Sequence, residues 1–108
     1  MIRRILTASA LLLTATAASA EPFRLNRNTV IAQDGSGNAH TITVQYQDRE
    51  GDVAISVYTQ SKGTEDYWVR CSSDHIADRY SNGASGTWEN VDHRNMAGWY
   101  ADAACNRI

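Results

Sequence analysis

The nineteen residues "TITVQYQDREGDVAISVYT", positions 41–59, constrain the fold more than any other stretch. Ile42, Val44 and Tyr46 alternate with Thr41, Thr43, Gln45 and Gln47, the period-two pattern of a strand buried on one face. Four turn-forming residues, "DREG", follow. Then "DVAISVYT" resumes the alternation with Val53, Ile55 and Val57 on the apolar side. A four-residue loop pairs Tyr46 with Val53, Val44 with Ile55, and Ile42 with Val57, so every apolar side chain meets an apolar partner. The core of the molecule is therefore expected to be one face of an antiparallel sheet.

A polar loop, "QSKGTE", leads to a third strand at "DYWVRCS". Paired back on the second, it places Tyr67, Val69 and Cys71 on the apolar face. Trp68, Arg70 and Ser72 then share the opposite face with Tyr58, Ser56 and Thr41. Further strands are predicted at "NTVIAQ", "HIADRY" and "GTWENV", the last two divided by the turn-rich "SNGASG". From Met96 the chain turns to alanine, with Asn95 or Asp92 available as N-cap. At 100° per residue, Met96, Trp99, Tyr100, Ala103 and Ala104 form an apolar stripe, extended by Ala97, Ala101 and Cys105. Gly98 and Asp102 mark the polar sector, and Tyr100 and Ala104 lie near the centre of the buried arc. The predicted fold is α+β: an antiparallel sheet of five or six strands, one C-terminal helix packed on one face, and a single disulfide.

That disulfide follows from the opening, "MIRRILTASALLLTATAASA". Arg3 and Arg4, a short apolar stretch from Ile5 to Leu13, and Ala18-Ser19-Ala20 have the order of a secretory signal peptide. The apolar stretch is shorter than the ~20 residues that span a bilayer. Residues 1–20 are read as a leader cleaved after Ala20, and 21–108 as one small exported domain, periplasmic or secreted. In an oxidising compartment Cys71 and Cys105, the only two thiols, are expected to pair. Closing a loop of about 35 residues is worth roughly 4 kcal/mol in the chain-entropy model. A domain this small buries little surface and needs that contribution. Cys71 faces the side of the sheet that the last helix covers, and Cys105 ties down the end of that helix.

Charge excludes some partners. The chain holds 10 basic and 12 acidic residues. Arg3 and Arg4 fall in the leader, so 8 basic residues remain against 12 acidic ones, with Lys62 the single lysine. Phosphate backbones are bound by clustered cations, so nucleic acid is not an expected partner. Neither is the membrane after leader removal, because no polybasic or amphipathic membrane-binding segment exists.

Chemistry has few footholds. His40, His75 and His93 invite a metal or catalytic reading, but a zinc site needs three or four convergent ligands, and none is supplied locally. His75 and Asp78, three apart on a strand, leave opposite faces. "DGSGNAH" places Asp34, Ser36 and Asn38 as a calcium loop would, yet Ala39 and Gln45 stand where glycine and glutamate are required. Ser85 in "NGASG" lacks the strand–turn–helix setting of a nucleophile elbow. No catalytic residue, metal or cofactor is expected. A small hydrolase using His75 or His93 with Asp78 or Asp92 is the weakest of the readings. The expected contact patch is the outer sheet face, with Tyr58, Trp68 and Arg70 among small hydroxyl residues. Its alternative role is to lie beneath the N-terminal segment, with Phe23 and Leu25 folded over it.

The strand ending "YWVRC" and the later "WENVDHRNMAGWYADAAC", a tryptophan leading into a short helix that ends in cysteine, give the second half its character. Between Cys71 and Cys105 the chain resembles the surface-adhesin E-like group of small exported bacterial proteins. Trp88 and Val91 would be that group's strand-end tryptophan and following aliphatic residue. The resemblance implies a compact sheet with a helix, and binding to host or matrix proteins without catalysis. Asp92 to Asn95 replace the group's usual proline-serine before the helix, and the adhesin's lipid-anchor cysteine is absent. The functional expectation is a non-enzymatic exported binding or envelope-associated protein, whose partner is an unidentified protein or envelope component. The alternative is an inhibitor of an envelope or cell-wall enzyme, with "DREGD" or "SNGASG" as its probing loop.

Overall fold

A computed structural model describes residues 21–108, so the leader expected over 1–20 lies outside the described residues. Seven antiparallel strands follow one another in a simple meander: β1 (Phe23–Asn26), β2 (Thr29–Gln33), β3 (Ala39–Gln47), β4 (Asp52–Thr59), β5 (Gly63–Arg70), β6 (His75–Asp78) and β7 (Glu89–Asn90). One helix, α1 (Met96–Ala104), closes the chain. No helix among the described residues is long and apolar enough to cross a membrane.

The sheet is larger than the expected five or six strands because of β1. There the polarity runs opposite to a buried strand: Arg24 pairs with Val30 on the helix side, while Phe23 and Leu25 stay exposed. The N-terminal segment therefore extends the sheet edge and does not fold over the outer face.

The central hairpin forms with Ile42 opposite Val57 and Val44 opposite Ile55. Beyond Val44 the register shifts by one residue, and Tyr46 lies opposite Ala54, not Val53. Such a bulge reverses facing. Tyr46 thus leaves the core side and meets Trp68 edge-on on the outer side, with ring centroids 5.8 Å apart. The next turn is tighter than "QSKGTE" suggested, since Thr59 already pairs with Gly63. Gly63 has φ +73, a left-handed conformation that glycine adopts without strain.

Val30, Ile42, Ile55, Val57 and Val69 are fully buried on the helix side. The helix packs against β2, β3 and β4, burying Tyr100, Ala101 and Ala103. Asn95 is its N-cap, accepting from the Ala97 amide at 2.9 Å. At the other end Arg107 N–H donates to the Asp102 carbonyl and Asn106 N–H to that of Ala103, with Asn106 at φ 61. This pair of bonds is the Schellman closure, and it makes Cys105 the C-cap of the helix. The Cys71–Cys105 disulfide is formed, with Cα atoms 5.7 Å apart.

Gly98 does not lie in a polar sector as its position on the wheel suggested; it is buried. A Cβ there would stand 2.7 Å from the Cα of His93 and 3.1 Å from its carbonyl carbon and oxygen. The segment entering the helix folds back against this residue, and only glycine permits that approach.

Candidate binding surface

Trp68 and Arg70 project from β5 onto the outer face, as parity requires. They do not form a patch with Tyr58. Trp68 lies opposite Ala54, Arg70 opposite Asp52, and Tyr58 opposite Thr64. Ala54 and Tyr58 are four residues apart along β4, about 13 Å at strand rise. Tyr58 is 51% exposed and lines a separate shallow groove with Thr41 and Gln60.

Trp68 itself is buried. Its indole N–H donates to the Gly83 carbonyl at 3.0 Å, which pins the turn-rich loop between β6 and β7 down over the ring. That loop is further tied by Tyr80 N–H to the Ala84 carbonyl, Gly83 N–H to Tyr80, and Gly86 N–H to Asp78. Arg79, half-buried, crosses the same face. It donates to the Ile55 carbonyl at 3.1 Å and to Gln45 Oε1, and its guanidinium lies 5.6 Å from the Trp68 ring centroid.

Arg70 binds Asp52 through two parallel bonds, Nε to Oδ1 at 2.8 Å and Nη2 to Oδ2 at 2.9 Å. Its guanidinium stacks 4.2 Å from the Trp88 ring centroid. The fork geometry of arginine allows both contacts at once. The consequence is architectural: the "DREGD" turn and the "SNGASG" loop, far apart in sequence, flank one cavity of about 220 Å³ floored by Trp68 and Arg70.

Carboxylate oxygens of Asp48, Glu50 and Asp52 gather within 4.8 Å on the rim of this cavity, a cluster the sequence reading passed over. Both Asp52 oxygens already accept from Arg70. A calcium ion takes six to eight oxygen ligands, and these residues alone fall well short.

The three histidines have separate partners. His75 Nδ1 bonds Ser73 Oγ at 2.8 Å. His93 Nε2 meets Asp74, which Arg107 also approaches at 3.4 Å; together they hold the Asp74 carboxyl below the usual range, His93 first. His40 is largely withdrawn from solvent. Its side chain is only 13% exposed, and it bridges Asp34 Oδ2 at 3.0 Å and the Tyr100 hydroxyl at 2.6 Å. The "DGSGN" turn thereby reaches the helix through a carboxylate–imidazole–phenol chain. His40 shares a face with Ile42, and that parity was the available signal.

No protein-family model, no curated protein and no solved structure matches the chain.

Proposed function

We propose that the protein is a non-enzymatic exported binding module of the cell envelope or its surroundings. Its contact surface is the sheet end where the "DREGD" and "SNGASG" loops converge. The observation that supports this reading is the fixing of both loops from beneath, by the Trp68–Gly83 bond and the Arg70–Asp52 pair. Loops held in one conformation lose little freedom on association. Trp68 and Arg70 then act by shaping the surface, and Arg49, Trp88 and the loop tips touch the partner. The same rigidity favours the second reading, an inhibitor of an envelope or cell-wall enzyme, because inhibitory loops work by preorganisation.

Affinity capture from envelope and culture fractions with the oxidised protein tests the proposal. Arg49→Ala and Ala84→Arg, both at exposed positions, should each abolish capture, while Tyr58→Ala should leave it intact. Loss with Tyr58→Ala alone would return the contact surface to the other end of the sheet. A captured enzyme whose activity falls in proportion to added protein would select the inhibitor reading.

A further inference from the structure

Because the helix packs against β2, β3 and β4, the helix-side surface of the later strands is free to form one wall of a cleft of about 430 Å³. Tyr67 and Tyr100 lie against each other there, ring centroids 5.7 Å apart. Tyr80, 54% exposed, stands at the rim with Asp78 and Glu89. Among the described residues no basic side chain lines this cleft.

The acidic residues of the molecule divide sharply by type of neighbour. Asp34, Asp52, Asp66, Asp74, Asp92 and Asp102 all sit within 4 Å of an arginine or histidine nitrogen. Among the described residues Glu21, Asp48, Glu50, Asp78 and Glu89 have no such partner, and neither does Glu65, which accepts from the Tyr67 hydroxyl at 3.2 Å; of these, Asp78 and Glu89 line the cleft. Burial, then the charge of Glu65 and Asp34, pushes the Tyr100 phenol up to about 12. Burial and Glu65 raise that of Tyr67 as well. Both phenols therefore stay neutral well above neutral pH.

We propose that this cleft binds an organic cation, an alkylammonium or guanidinium head on a short apolar stem. Asp78 and Glu89 supply the countercharge, and Tyr67, Tyr80 and Tyr100 supply the aromatic lining. Aromatic rings attract such cations through their quadrupoles, and a concave surface of one sign focuses the field. An anionic ligand would meet two carboxylates and no compensating cation. The cleft and the two-loop surface are lined by different residues, so the inference stands whether or not the loops bind a partner.

Titration of the oxidised protein, followed by aromatic and amide NMR shifts, tests it. The probes are N-acetyl-arginine methylamide, N-acetyl-lysine methylamide and tetramethylammonium, with N-acetyl-citrulline methylamide as the neutral isostere. The cations should saturate, with shifts centred on Tyr67 and Tyr80, and citrulline should bind at least about tenfold more weakly. The double variant Asp78→Asn/Glu89→Gln should lose about tenfold or more in cation affinity. Tyr80→Ala, at an exposed ring, should lose severalfold and serves if the double variant does not fold. A preference for the blocked residues over tetramethylammonium marks a polypeptide side chain as the source, and the reverse marks a small quaternary ammonium compound. The proposal is overturned by no saturation up to about 50 mM, by equal binding of citrulline, or by affinities indifferent to these variants.

Discussion

On the helix side of the sheet, Val30, Ile42, Ile55, Val57 and Val69 are sealed by an alanine-rich helix and a covalent bond. On the other side Asp52, Ala54, Trp68 and Ala77 reach comparable burial, and what covers Trp68 is a loop held by directional bonds. The first closure is apolar and tolerant of small displacements, since hydrophobic burial has no preferred direction. The second depends on an indole N–H and a two-pronged arginine. A protein with one small core can leave its second face polar if a few anchors fix the loops there. That face then becomes the natural place for contact.

The largest expected effect separates the two closures. Replacing Cys71 and Cys105 by serine should lower the unfolding free energy by about 4 kcal/mol, a large share of the ~5–15 kcal/mol available to a domain. Urea titration measures the loss. Hydrogen exchange should report it first at Ala101–Cys105, before the Gly83 and Gly86 amides. Equal loosening on both faces would erase the distinction drawn here.

Gly98→Ala comes next, and its sign is informative. Helix propensity alone favours alanine by about 1 kcal/mol. The new methyl, however, would lie 2.7 Å from backbone of His93, which cannot rotate away. Overpacking of this kind costs about 1–3 kcal/mol, so a net destabilisation of up to about 2 kcal/mol is expected by thermal or urea unfolding. A stabilised variant would show that the helix and its entry segment are not locked together.

Trp68→Phe probes the outer face in the same way. An aromatic ring is kept, though a smaller one, and the donor to Gly83 is removed, for a loss of at least about 1 kcal/mol. Exchange at the Gly83 and Gly86 amides should accelerate while the amides of the helix stay protected. Protection that falls equally at Ala101 would mean that the loop and the helix open as one unit.

Parity carried most of what the sequence disclosed. The pairs Ile42–Val57 and Val44–Ile55 follow from alternation and a four-residue loop, alternation alone puts Val69 on the face of Val53 without fixing their register, and two cysteines admit a single intramolecular pairing. The failures share one cause, a contact that local pattern does not encode. The bulge after Val44 turns Tyr46 over without altering composition, because tyrosine suits either face. Arg24 occupies the helix side of β1 with its Nε 3.5 Å from the Ile108 carbonyl, a partner 84 residues away. Trp68 was assigned the correct face, but its burial depends on a loop that parity cannot place. Tyr58 shares that face, yet a shared face does not bring two side chains together.

The smallest effect concerns the helix side again, at Asp34. Its carboxyl is held at about 2, chiefly by His40, then by the Asn38 and Ser36 amides, against a usual value of 3.8. A folded-state value below the unfolded one stabilises the protein at pH values above about 4, and that contribution is lost as pH falls toward 2. Asp34→Asn should therefore differ most from the parent at neutral pH, and the difference should shrink through this acid window. Because the carboxylate is exposed to solvent, the effect should be modest and weakened by salt. His40 relays it to the Tyr100 hydroxyl, so the Tyr100 ring signals should respond while the Trp68 indole stays unchanged. A difference that persists undiminished to pH 2 would assign Asp34 a turn-forming role alone, through its bonds to the Ser36 and Asn38 amides. The helix side would then be held by its apolar surface and its disulfide, with no polar tie comparable to those of the outer face.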